Sequence, residues 1–236
     1  MKKNINQILD KENNTKNYFL FTLLIGSFIL RLLSTYIIRD FHFDNEWNIL
    51  LDNLIKNKSY SFYTFDNQLI PSALLPPMYP FFLYLIKLLT SADKINLLNY
   101  VIFIQIFLST YSVYLFYEIN KNFFSENISL INSGFYSIIP LNVITCGQIS
   151  SISLQIFLSL FFIKFLFLII RKENKKNILI FSLVSGLLIL TRGEFFLIFL
   201  LMFLFISFMK KIKLLNLIKI FLITVLIISP YLIRNH

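Results

Sequence analysis

A chain of 236 residues with mean hydropathy +0.72, 57% hydrophobic residues and only 14% charged residues lies outside the range of soluble globular proteins. A single cysteine, Cys146, excludes an internal disulfide, and two histidines leave little material for a zinc or redox centre. The net charge of +10 would suit nucleic acid, but in a membrane chain it ordinarily marks the lysines that fix orientation, so the layout of helices decides.

Residues 1–17 precede a long apolar run with no small-residue cleavage site, which predicts a cytoplasmic tail followed by an uncleaved signal anchor. A spanning helix needs about 20 mostly apolar residues. Candidates fall at 18–38, 97–117, 128–146, 148–170, 177–191, 194–209 and 214–232. The expected fold of 18–236 is therefore an all-α integral membrane bundle of about seven spans. With the N-terminus inside, Lys2, Lys3, Lys11, Lys16, Lys121, Arg171, Lys172, Lys175, Lys176, Lys210, Lys211 and Lys213 all fall in short inner segments, as orientation by positive charge requires. Topology thus accounts for the net charge, and nucleic acid is not an expected partner.

The acids show the opposite bias: Asp40, Asp44, Glu46, Asp52, Asp66, Asp93 and Glu194 are expected outside. Most lie in the one long outer loop, 39–96, which opens with "RDFHFDNEWN". Within it "FFLYLIKLLT" (81–90) is too short to span and follows "PPMYP", which predicts an interfacial helix whose start the prolines set. "TRGE" (191–194) forms a polar hinge between two short spans and places Arg192 and Glu194 outside. "NKS" (57–59) has the form of a glycosylation sequon, a match that short sequences produce by chance.

Asp44 and Glu46 are candidates for a general base or a substrate-orienting pair, because a partly desolvated carboxylate gains basicity; the plainer reading is a solvated acidic loop. His42, Asp44 and Glu46, at spacing two, would share one face of an extended strand and offer a weak divalent-cation site. Arg31, inside the first span, either snorkels outward or faces the bundle to hold an anionic headgroup. Lys164 is expected to snorkel inward. Gln105, Gln148 and Gln155 hint at a polar path through the bundle, although glutamine also serves as interhelical hydrogen-bond glue.

The order of segments is more informative than any one of them. After the first span come Asp44 and Trp47, then "SY" (59–60), "PSALLPPMYP" (71–80), "GQISSISL" (147–154), "LTRGE" (190–194) and "PYLIRN" (230–235). This order resembles the N-terminal half of the GT-C type glycosyltransferases that use polyprenyl-phosphate sugars, such as the protein O-mannosyltransferases and the lipid A aminoarabinose transferases. The resemblance implies an inverting transfer at the outer face of the cytoplasmic membrane, with Asp44 as base and Glu46 beside it. It implies a polyprenyl-phosphate sugar as donor, and a lipid, polysaccharide or protein as acceptor. Arg192 is the expected phosphate contact, with Arg31, Arg39, Tyr79 and Glu194 in the substrate site; a divalent cation stays open as cofactor. The chain departs from the pattern at Leu75, where a basic residue is common, at Ile152, where an acid is usual, and at Glu46. Relatives also continue through further helices. A non-catalytic partner subunit or lipid-binding relative is the alternative, and a lipid-linked-sugar transporter the third reading.

Overall fold

The computed structural model describes residues 2–43, 45–65, 68–71, 75–209 and 211–234. They form ten α-helices and one small hairpin. Four helices are long and apolar enough to cross a membrane: the Lys16–Ile37 part of α1 (Lys2–Ile37), α4 (Lys94–Asn120), α7 (Ile152–Arg171) and α10 (Leu214–Arg234). Ahead of α4 lie α2 (Glu46–Lys56), the strands β1 (Ser61–Phe65) and β2 (Gln68–Pro71), and α3 (Met78–Thr90). Between α4 and α7 stand α5 (Glu126–Ser137) and α6 (Pro140–Ile144), the latter extended by a single 3₁₀ turn, Thr145–Gly147. The helices α8 (Lys175–Thr191) and α9 (Phe195–Met209) are shorter. The bundle therefore has a loop end, formed by the described residues between α1 and α4 and the turns around 147 and 193, and a lysine end, formed by the start of the apolar part of α1 and the turns after α4, α7 and α9.

The continuous span expected at 128–146 is instead broken. The bend between Glu126–Ser137 and Pro140–Gly147 is 64°. Pro140 has no N–H and disfavours helical geometry at Ile139, so the helix stops before it and restarts on the proline, which stands at the first helical position. Such a break strands backbone carbonyls in an apolar interior, where each must find a donor. Polar side chains of α1, α4 and α6 supply them. Arg31 donates from Nη1 to the Ser137 carbonyl (3.3 Å), Ser109 to Asn142 (2.8 Å), Asn142 Nδ2 to Tyr136 (3.5 Å), and Gln105 Nε2 to Cys146 (3.1 Å) and Gln148 (2.8 Å). The glutamine at 105 is thus interhelical glue. A second proline problem has a local answer: Pro230, inside α10, leaves the Leu226 carbonyl without its usual donor, and Ser229 Oγ supplies one at 2.9 Å.

Close approach between helices depends on two glycines. A Cβ at Gly186 of α8 would lie 2.7 Å from Ile227 Cγ2 of α10, and one at Gly147 would lie 2.8 Å from the Ile38 carbonyl oxygen. The first lets α8 and α10 pack together; the second seats the broken span against the end of α1.

The fold is all-helical as expected apart from one small hairpin in the first loop, β1–β2, antiparallel with Phe65 opposite Gln68. Glu46 opens α2 rather than continuing the extended strand that the cation-site reading required, and Asp44 lies outside the described residues. The helix expected after the prolines does form, as α3, starting right after Pro77. It buries Tyr79, Pro80, Leu83 and Ile86 and exposes Phe81, Leu85, Leu88 and Leu89.

Candidate functional site

Two neighbouring features occupy the loop end, with the start of α3 between them. The first is a polar junction where the loop after α1 meets the loop before α7. Asp40 donates its backbone N–H to the Gly147 carbonyl (3.0 Å) and accepts the Ile149 N–H on its carboxylate (2.7 Å). Asn45 then donates its side-chain amide to the Ile149 carbonyl (3.0 Å). These three bonds bracket Asp44, which itself lies outside the described residues. They hold the chain on either side of it against "GQIS". Gly147 is needed here because the approach leaves no space for a side chain.

Beneath this junction, Tyr79 is fully buried. Its hydroxyl donates to Gln105 Oε1 (2.9 Å), and its ring meets Trp47 edge-on at 5.0 Å. Burial, with the Asp40 charge adding to it, holds the Tyr79 phenol well above its usual pKa, so it stays a neutral donor at any ordinary pH. Tyr79, expected in the substrate site, is a buried link between α3, α4 and the first turn of α2.

The second feature is a pair of adjoining cavities of about 360 and 570 Å³ between the start of α3, the α8–α9 turn and the end of α10. Pro77, Leu190 and Tyr231 line both. The smaller adds Tyr60, Met78 and Arg234, the larger Gly193 and Glu194. Their walls are chiefly apolar and the charges stand at the rim. Arg234 donates to the Tyr60 carbonyl and stacks over the Tyr60 ring at 4.8 Å. The Tyr60 hydroxyl donates to Leu75 O (2.8 Å), and Tyr231 to the same carbonyl (3.3 Å). Four segments singled out in the sequence, "SY", "PPMYP", "TRGE" and "PYLIR", thus surround one hollow. Leu75, the departure from the expected basic residue, contributes its backbone carbonyl as the common acceptor.

The remaining expected residues divide between these features and the bundle. Arg192 closes α8 in an extended conformation, half exposed, with Nη1 4.0 Å from Glu194 Oε1; Glu194 is 79% exposed at the cavity rim. Arg39 donates to Asn99 Oδ1 (3.1 Å) and lies over Phe41 at 5.1 Å, beside the junction. Glu46 is exposed at the first position of α2, where the helix dipole favours an acid. Arg31 is completely buried, and besides Ser137 it donates to Ser109 Oγ (2.7 Å), to the Ser27 carbonyl (3.0 Å) and to Ser27 Oγ. It serves the broken helix, away from the hollow. Lys164, expected to reach headgroups, sits 4.0 Å from Glu118 and 5.3 Å over the Tyr114 ring. Among the described residues there is no group of three or more His, Cys, Asp or Glu placed to hold a metal.

Sequence reading missed Asp40, Asn45 and Gly147 as a unit. The signal available was only "RDFHFD" and one of five glycines. Comparison with known protein families and with characterised proteins found no match to this chain.

Proposed function

We propose that this chain is a membrane glycosyltransferase, or the donor-binding core of one, that takes a sugar from a polyprenyl phosphate. The observation that supports it best is the convergence of four distant segments on two adjoining apolar-walled cavities, with Arg234 and Glu194 among their lining residues and Arg192 4.0 Å from Glu194. A polyprenyl-phosphate sugar has that chemistry: an apolar chain for the cavities and an anionic phosphodiester, which gains a second charge as the sugar leaves, for the nearby arginines. In this reading α8, α9 and the bent pair complete seven spans, the lysine end faces the cytoplasm and the loop end faces outward.

The acceptor hydroxyl gives its proton to the Asp44 carboxylate as its oxygen attacks the anomeric carbon, and the bond from that carbon to the phosphate oxygen breaks with inversion. The electron pair leaves with polyprenyl phosphate, whose developing charge Arg192 stabilises. The acceptor is a lipid, polysaccharide or protein hydroxyl. One observation favours a second reading, lipid binding without transfer: Leu75 stands where a phosphate-binding cation would be expected, with its carbonyl engaged by two tyrosines.

The test is release of polyprenyl phosphate from polyprenyl-phosphate sugars by the protein in lipid nanodiscs, in wild type and Asp44→Asn. Release that collapses in Asp44→Asn supports transfer; binding of the lipid with no release by the wild type overturns it in favour of the second reading.

A further inference from the structure

Trp47, the chain's single tryptophan, stands between Asn45 and Asn48 at the start of α2. Both asparagines bury their side-chain carbonyl oxygens without a hydrogen-bond partner, and so do the hydroxyls of Ser150 and Ser153 across the junction. The two groups are held together. Asn45 Nδ2 is fixed on the carbonyl of Ile149, the residue before Ser150, and Asn48 donates its N–H to the Asn45 carbonyl at 3.0 Å. Ser153, only 2% exposed, lies in the first turn of α7, which Ser150 precedes. A buried polar atom left without a partner costs roughly 1–3 kcal/mol, so four around one junction are a standing demand for a ligand that both gives and accepts hydrogen bonds.

We propose that Asn45, Asn48, Ser150 and Ser153 form a subsite for the hydroxyl groups of a sugar. For the sugar's identity as donor this rests on the transferase reading. The chemistry fits a polyol better than an ion. Two amide oxygens accept from hydroxyls and two serine hydroxyls do either. A cation would instead need converging carboxylates, and among the described residues Asp40 already accepts the Ile149 N–H while Glu46 is exposed at the first position of α2, with no group of three or more His, Cys, Asp or Glu placed to hold a metal. The subsite is the element that would distinguish one sugar from another, since the cavities beyond α3 are chiefly apolar.

Trp47 emission reads the site directly. The full chain in nanodiscs is titrated with farnesyl phosphate, with farnesyl-phosphate hexoses and, separately, with magnesium chloride. The expected result is a saturable change with at least one hexose-bearing lipid, weakened about five- to tenfold in Asn48→Leu and in Ser153→Ala, the loss of one ordinary hydrogen bond. Affinity for sugar-free farnesyl phosphate stays the same in both variants. Because Asn48→Leu removes an unpartnered buried acceptor, its melting temperature is expected to hold or rise; should it fail to fold, Ser153→Ala decides. Variants that bind the sugar lipid as tightly as wild type overturn the subsite, as does a wild type that responds to none of the hexoses. A response to magnesium alone also overturns it, and makes the junction a cation site. Lost turnover with sugar-dependent binding intact sinks the transferase reading and leaves the subsite standing; intact turnover with indifferent variants does the reverse.

Discussion

The two ends of the bundle solve the same problem in opposite ways. At the lysine end, charges stand in the open and pair with each other: Lys16 with Glu126 (3.6 Å), Lys121 with Glu118 (3.5 Å) and Glu126 (3.8 Å), and Lys164 with Glu118. The Glu173 carboxylate joins the α7–α8 loop to the start of α10, accepting from the Lys213 N–H and from Asn216 Nδ2, each at 2.6 Å. The loop end has exposed ion pairs too, Lys56 and Lys94 with Asp52 and Arg192 with Glu194, but it also holds polar groups that are buried and incompletely met. Among the described residues, seven buried side-chain polar atoms lack a partner; five of them, on Asn45, Asn48, Ser61, Ser150 and Ser153, belong to the loop end, and the other two, on Arg31 and Thr110, lie within the bundle. Unmet buried polarity is uncommon in native folds and clusters at functional sites, so this contrast supports the proposal that the loop end binds a ligand.

Substitutions that touch the buried polar framework should have the largest effects. Arg31→Ala removes a fully enclosed side chain and leaves the Ser137 carbonyl without its arginine donor. A stability loss of about 3 kcal/mol or more is expected, measured by thermal unfolding in nanodiscs. A loss under about 1 kcal/mol would show that the break at Pro140 does not need Arg31. Gly147→Ala should cost about 1–3 kcal/mol, because its Cβ meets a backbone oxygen that cannot turn away, whereas Gly134→Ala in α5 has room and should hold or gain stability. Equal responses at the two glycines would remove the argument that the loop end is clamped through Gly147. Gly193 borders the larger cavity with open space around its Cα, so Gly193→Phe should leave the melting temperature unchanged while weakening polyprenyl-phosphate binding about tenfold, or 1.4 kcal/mol. Unaltered affinity would mean that the hollow does not receive the lipid.

How much of this was legible in the sequence follows from the physics each element obeys. Long apolar runs are legible because the hydrocarbon core sets a length, and four of the expected spans appear as single helices of adequate length and hydropathy. The start of α3 was legible because prolines punctuate locally. The break at Pro140 was not, since a proline in a membrane helix either kinks it or ends it, and which one happens depends on donors 30 to 110 residues away: Gln105, Ser109 and Arg31. The hairpin was hidden for a similar reason, as strands so short reveal themselves only by pairing. Four of the six recognised segments surround one hollow, yet their distance along the chain gave no hint that "SY" would meet "PYLIR". The role of Asp40 was equally invisible. Its partner is a backbone N–H on residue 149, and backbone groups carry no residue signature.

The smallest effects belong at the lysine end, and they test the contrast from its other side. Glu118 accepts from Lys121 and approaches Lys164, with both pairs partly exposed, at separations of 3.5 and 4.0 Å. Pairs of this kind are worth about 0–1 kcal/mol because water screens them and two long side chains must be held in one geometry. Glu118→Gln should therefore lower stability by less than about 1 kcal/mol, and the difference from wild type should shrink as salt rises through the range where the screening length falls below about 8 Å. Polyprenyl-phosphate binding should not change, since nothing joins Glu118 to the hollow. A large, salt-insensitive loss would mean that this network is as desolvated as the loop end, and the asymmetry between the two ends would then no longer single out one of them as the place where a ligand is bound.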